Sequence, residues 1–140
     1  MVHVAIMKRS WKMIPKILSG EKTIESRWLK TKRAPWGKVK IGETIYFKNS
    51  GEPVTIKAAA AKVFQFEDLT PAKVREILKK FGPEIGVEKS FYKLVRDKKY
   101  CLLIFLKEPS NVSLFAVSKK GFGAMAGWMT APSLRLFRSS

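Results

Sequence analysis

Cysteine and histidine are each represented once in the 140 residues. Cys101 has no intramolecular disulfide partner, which fits a reducing compartment, and it sits in the apolar run Tyr100–Leu106, where a thiol reads as core. His3 alone leaves almost no material for histidine dyads, triads or multi-histidine metal sites, and no CxxC pair, Walker loop or dinucleotide fingerprint occurs. Neither a metal nor a cofactor is therefore expected. The longest uncharged stretch, residues 121–134, is broken by Gly, Thr, Ser and Pro and is too short to span a bilayer. At the start, Met1–Met7 puts apolar residues ahead of Lys8 and Arg9, the reverse of a secretory signal. A cytoplasmic protein with no membrane association is the expectation.

Acid is the other scarcity. There are 11 Asp+Glu against 28 Lys+Arg, a formal charge of +17. With 46% hydrophobic residues the chain carries enough apolar material to fold, and residues 1–140 read as a single domain. Such a charge opposes compaction and calls for a polyanionic partner. It is also uneven. Residues 8–40 carry eight Lys and three Arg against Glu21 and Glu25, and no acid follows Glu108. Trp11, Trp28, Trp36, Phe122 and Trp128 lie in the same two regions. Cations beside aromatic faces suit single-stranded or looped nucleic acid, where phosphates need charge and unstacked bases need platforms. For any one residue the plain alternative stands beside this: a packed tryptophan, a solvated lysine.

Strands are expected at Val2–Met7, Thr23–Trp28, Thr44–Lys48 and Val54–Phe66. A short helix over Pro15–Ser19 ends at Gly20. Thr70-Pro71 is a helix start before the periodic Val74, Ile77, Leu78 and Phe81, and Gly82-Pro83 is expected to stop it. A second helix is expected over Glu88–Arg96, burying Phe91, Leu94 and Val95. Strands Cys101–Lys107 and Val112–Val117 follow, separated by Pro109-Ser110-Asn111, and the tail from Ser118 is Gly-rich, then aromatic, then basic. This order predicts an α+β fold, a mainly antiparallel curled sheet or small barrel with helices at one side.

The densest chemistry lies in Gly20-Glu21-Lys22-Thr23-Ile24-Glu25-Ser26-Arg27. A strand there puts Thr23, Glu25 and Arg27 on one face, where Glu25 and Arg27 can pair while the Arg fork keeps two donors for a phosphate or carbonyl. Lys22 precedes them at a position expected to be mobile. Glu25 and Arg27 read equally as a structural ion pair.

This octapeptide resembles the ASCH-domain signature Gly-x-Lys-x-x-Glu-x-Arg, with all four fixed positions present. Ile41-Gly42-Glu43-Thr44-Ile45-Tyr46-Phe47 is similar to the family's Gly-Asp/Glu turn and following strand, and Lys119-Lys120-Gly121-Phe122-Gly123 with Trp128 to endings seen in related members. The resemblance covers nearly the whole chain. It implies a PUA-like β-barrel with flanking helices, a cleft lined by Lys22, Glu25 and Arg27, and RNA binding. With the charged loop and tail added, the candidate nucleic-acid contacts are Lys22, Glu25, Arg27, Trp28, Lys30, Lys32, Arg33, Trp36, Lys119 and Lys120.

Some relatives are hydrolases, which keeps an enzymatic alternative open. One bacterial branch deacetylates N4-acetylcytidine with a Lys and a Thr three residues later; here those positions are Lys22 and Glu25, and a carboxylate does not replace a hydroxyl nucleophile. Another relative is a ribonuclease, for which Lys22 and Glu25 would be a catalytic cation and general base. A protein-interaction domain with an acidic partner is a third reading.

Overall fold

A largely apolar run gives β1 (Val2–Met7), and a short α-helix, α1 (Met13–Ser19), follows it, starting two residues ahead of the expected Pro15. Gly20 ends α1 with φ 84°, a left-handed conformation that glycine adopts without a Cβ clash. Then come β2 (Ile24–Leu29), β3 (Thr44–Asn49) and the long β4 (Val54–Phe66), α2 (Pro71–Ile85), α3 (Tyr92–Val95), β5 (Tyr100–Phe115) and β6 (Trp128–Ala131). These come from a computed structural model that describes residues 1–138; positions 139 and 140, the end of the tail segment, lie outside the described residues.

One six-stranded sheet has the order β2-β5-β4-β3-β1-β6. Every pair is antiparallel except β1 with β3, which run parallel. The sheet curls into a half-barrel, the α+β architecture expected. Its concave side holds Ala5, Ile45, Phe47, Ile56, Ala58, Leu102 and Ile104, with Met13, Ile14 and Ile17 of α1 packed into the same core. On the convex side, α2 and α3 cover Ile24, Trp28, Cys101 and Leu103 through Val74, Ile77, Ile85 and Val95. Burial there pushes the Cys101 thiol pKa up. The tail packs Phe137 against Val4, Val54 and Met129.

Four local expectations need correction. The α2 helix starts as read, with Thr70 Oγ1 accepting from the Lys73 N–H at 3.2 Å, but it runs through Gly82-Pro83 to Ile85 and stops at Gly86. Gly82 has no Cβ to clash with the proline ring, so the usual restriction before proline is relaxed. The expected helix over 88–96 is a 3₁₀ turn, Lys89–Phe91, followed by the four residues of α3, and Leu94 is 57% exposed rather than buried. The two strands expected on either side of Pro109 are one strand, β5. Between Lys107 and Ser110 the ladder shifts register, with Glu108 at φ 54°, and this bulge takes up a proline that cannot donate. Finally, the tail contributes β6, which pairs with β1.

A buried polar group ties β1 to β6. His3 is fully buried. Trp128 donates its indole N–H to His3 Nδ1 at 3.1 Å, so Nδ1 is the acceptor and Nε2 carries the proton, donated to Glu43 at 2.8 Å. Burial lowers the His3 pKa against the opposing pull of Glu43. Burial would raise Glu43, but the hydrogen bonds from His3 and the Lys40 N–H outweigh it and hold its carboxyl at about 2. The unfolded chain protonates His3 near its ordinary value, about 6.5, where the folded protein resists it, so stability is expected to fall with acidification below that point. The loss continues below about pH 4.5 as unfolded Glu43 protonates. Melting temperatures of wild type and His3→Gln between pH 7 and 5 check this: the wild type should lose more, and parallel slopes would refute the assignment.

Candidate functional site

Residues 20–27 form the approach to β2 and the strand itself, at one edge of the sheet. Along β2, Ile24, Ser26 and Trp28 alternate with Glu25 and Arg27. Glu25 and Arg27 stand opposite Ile104 and Leu102, on the concave side. A carboxylate in that position is almost fully buried, 3% exposed, and needs compensation.

Two cations supply it. Lys22 Nζ lies 3.2 Å from Glu25 Oε1, while Arg27 donates to Glu25 Oε2 from Nη2 at 2.8 Å and from Nε at 3.1 Å. Lys22 Nζ also donates to the carbonyls of Ile24 at 2.7 Å and Ile85 at 2.6 Å. Ile85 is the last residue of α2, so the ammonium sits where that helix's unpaired carbonyls point and its dipole favours a cation. Three acceptors engage all three ammonium protons. The expected mobility of Lys22 is thus corrected: its side chain is 1% exposed and held from three sides.

Burial pushes the Lys22 pKa down, opposed by the Glu25 charge. For Glu25, burial pushes up, but the charges of Lys22 and Arg27 and their hydrogen bonds prevail and hold the carboxyl below its ordinary value.

Arg27 closes the sheet. Beyond Glu25 it donates from Nη1 to the carbonyl of Gly127 at 3.1 Å and from Nη2 to that of Ile6 at 3.3 Å, with its guanidinium 5.2 Å from the Trp128 ring centre. One edge strand, β2, is thereby joined to β1 and the entry of β6, at the other side of the sheet. The two donors expected to stay free on the Arg27 fork reduce to one Nη1 proton, because backbone carbonyls take the rest.

A cleft of about 350 Å³ opens beside this cluster. Lys22, Glu25, Ser26, Arg27 and Trp28 line one part of it. The rest of its lining is largely apolar, with Trp11, Phe91 and Leu94, and Lys8 and Lys98 add cations. Trp11 meets Phe91 edge-on at 5.7 Å, is 39% exposed, and has Lys8 Nζ 5.2 Å from its ring centre. Sequence reading missed Lys8, Trp11, Phe91 and Lys98 as cleft residues, although basic Lys8 beside Trp11 was a visible signal.

The structure brings four predicted residues, Lys22, Glu25, Arg27 and Trp28, into this one cleft. Trp28 is largely buried, donates to Ser26 Oγ at 3.0 Å and packs on Phe91. The other candidates do not line the cleft. Lys30 pairs with Asp97 and Lys32 with Glu67, each at 3.1 Å, on the surface. Arg33 is exposed, and Trp36 rests edge-on against Tyr100 at 5.2 Å. Lys119 donates to the Ala124 carbonyl and Lys120 is exposed. Among the described residues, no three His, Cys, Asp or Glu side chains gather into a metal site.

Chemically, the cluster offers two cations to one anion, hence one net positive charge and a single uncommitted guanidinium proton at the cleft. Lys22→Met is expected to cost about 3–5 kcal/mol, because it strips one partner from a buried carboxylate. Lys22→Met combined with Glu25→Gln should cost less than the sum of the two single changes. Urea unfolding of the three variants checks both; additive costs would show that the pair is not coupled.

No protein-family model and no curated protein matches the sequence. Among solved structures, the chain is similar to the ASCH protein of Zymomonas mobilis, with 14% identity and a TM-score of 0.64 over 91% of this chain and 85% of that one. A single-site variant of the same protein aligns with 16% identity and a TM-score of 0.63, over 81% and 72%. A hypothetical protein, PH0355, aligns with 22% identity and a TM-score of 0.52, over 76% and 97%. The chain therefore has the fold of the ASCH proteins it aligns with.

Proposed function

We propose that this ASCH-fold protein acts as one domain that binds nucleic acid, single-stranded or structured RNA in the first place, and holds a base or nucleotide in the cleft beside Lys22, Glu25 and Arg27. The observation that carries this reading is the composition of that cleft. Its lining combines apolar side chains, among them the exposed ring of Trp11, with a polar cluster carrying net positive charge, and with Lys8 and Lys98. A base needs a flat apolar face and a few fixed hydrogen bonds, and its phosphates need cations. The volume suits one such group. The +17 charge provides long-range attraction, and Lys30, Lys32, Arg33, Trp36, Lys119 and Lys120 serve as phosphate or stacking contacts outside the cleft.

The engagement of Lys22 and Glu25 favours binding over hydrolysis. A lysine whose three protons are committed is a poor nucleophile, and a carboxylate paired through both oxygens is a poor general base. Hydrolysis of RNA or of N4-acetylcytidine would require one of them to be released.

Fluorescence anisotropy with single-stranded RNA tests the proposal. Affinity should fall steeply between about 50 and 200 mM salt. Lys8→Gln with Lys98→Gln should lower the log–log salt slope by about 1–2, and Trp11→Ala should weaken binding about 5- to 100-fold. Affinity that stays flat with salt would overturn the proposal. Chromatography after incubation should return RNA and N4-acetylcytidine unchanged; turnover abolished by Lys22→Ala would replace the binding reading with the hydrolase.

A further inference from the structure

On the convex face of β4 and β5, Phe66, Phe81 and Phe105 pack against the core, but the exposed ring of Phe64 and the lysines around it are accounted for by neither the core nor the cleft. A register shift between Ala60 and Lys62 adds a residue to β4 and resets its alternation, so that Lys62, Phe64 and Phe66 follow one another on one face. Across the ladder, Lys62 stands opposite Phe105 and Ala59 opposite Lys107. Phe64, 37% exposed, meets Phe105 at 5.2 Å, Phe66 at 6.3 Å and Phe81 of α2 at 6.4 Å, all edge-on. Lys62 Nζ lies 5.2 Å from the ring centres of both Phe64 and Phe105, and Lys80 Nζ 5.4 Å from that of Phe81. A hollow of about 500 Å³ opens over Phe64, Phe66 and Phe81, with Glu76 its one acid.

The chemistry of an occupant follows from what these groups lack. Among the described residues, none of Lys62, Lys80 and Lys107 is in an ion pair. One exposed ring, Phe64, set among three half-buried ones and flanked by unpaired cations, complements a ligand that alternates flat apolar faces with negative charge. A peptide adding as an extra strand is ruled out here, because β4 and β5 both have neighbours on each side. We infer that this face is a second single-stranded nucleic-acid contact, separate from the cleft: bases stack on Phe64 and its neighbouring rings, and phosphates meet Lys62, Lys80 and Lys107. When a base takes the ring face, the Lys62 ammonium is displaced toward the backbone phosphate, exchanging a ring contact for an ion pair. The inference rests on the nucleic-acid reading above but not on the cleft.

Photo-crosslinking with single-stranded RNA of about 16 nucleotides, substituted with 5-iodouridine, separates the two sites. Crosslinked peptides containing Phe64, Phe81 or Phe105 are expected in addition to those from the cleft. Phe64→Ala should weaken binding about 5- to 100-fold, and Lys62→Gln with Lys80→Gln should lower the salt slope by about 1–2. The lysine pair is exposed, so it remains informative if Phe64→Ala fails to fold. Crosslinks confined to Trp11, Trp28 and Phe91 would overturn this inference and leave the cleft. Crosslinks at Phe64 alone would support it and overturn the cleft. No crosslink at either place would overturn both.

Discussion

The buried carboxylate of Glu25 is the constraint on which the rest of the structure is arranged. A charge on the concave side of a half-barrel is tolerable only when paired and hydrogen-bonded. Lys22 and Arg27 meet that need, and each then reaches a different part of the fold. Lys22 binds the end of α2 through the Ile85 carbonyl, and Arg27 spans the open side of the sheet to Ile6 and Gly127. Three residues thus hold a strand edge, a helix end and the far side of the sheet in register.

That architecture also shapes what the cleft can do. Most donors and acceptors of the cluster are spent inside the protein, so a ligand meets a rigid, weakly positive floor rather than mobile catalytic groups. Under the proposed nucleic-acid role, recognition falls to the aromatic side chains and to cations such as Lys8 and Lys98, which have no ion-pair partner among the described residues. A preorganised floor costs little ordering on binding, which suits a module that captures flexible single strands. The convex Phe64 cluster is of the same chemical kind, with one exposed ring and unpaired ammonium groups on a stiff sheet.

Much of this was legible in the residues themselves. Strands β1 to β4, the start of α2 and the Glu25–Arg27 pair follow from apolar or alternating runs, the Thr70-Pro71 cap and strand-face geometry, whereas α1 begins at Met13, two residues ahead of the expected Pro15 and without a capping side chain. The errors came where a local breaker met a tertiary remedy. Gly82-Pro83 reads as a stop, yet a proline in the last turn of a helix loses only one bond. Pro109 reads as a loop, yet a bulge absorbs it within β5. Strand β6 had no periodic signal long enough to read; Trp128–Ala131 becomes a strand because β1 offers it an edge.

The amino-acid sequence by itself determined the α+β order of elements, the excess of positive charge and the spacing that puts Glu25 and Arg27 on one strand face, because these are matters of composition and local period. Only the tertiary structure decided that Lys22 is locked, that Arg27 spends its donors on Ile6 and Gly127, and that Trp11 and Phe91 wall the cleft while loop 30–40 lies outside its lining. Those outcomes depend on groups as many as 100 residues apart in the chain meeting in a low-dielectric space. No local pattern encodes which acceptor a buried cation will find.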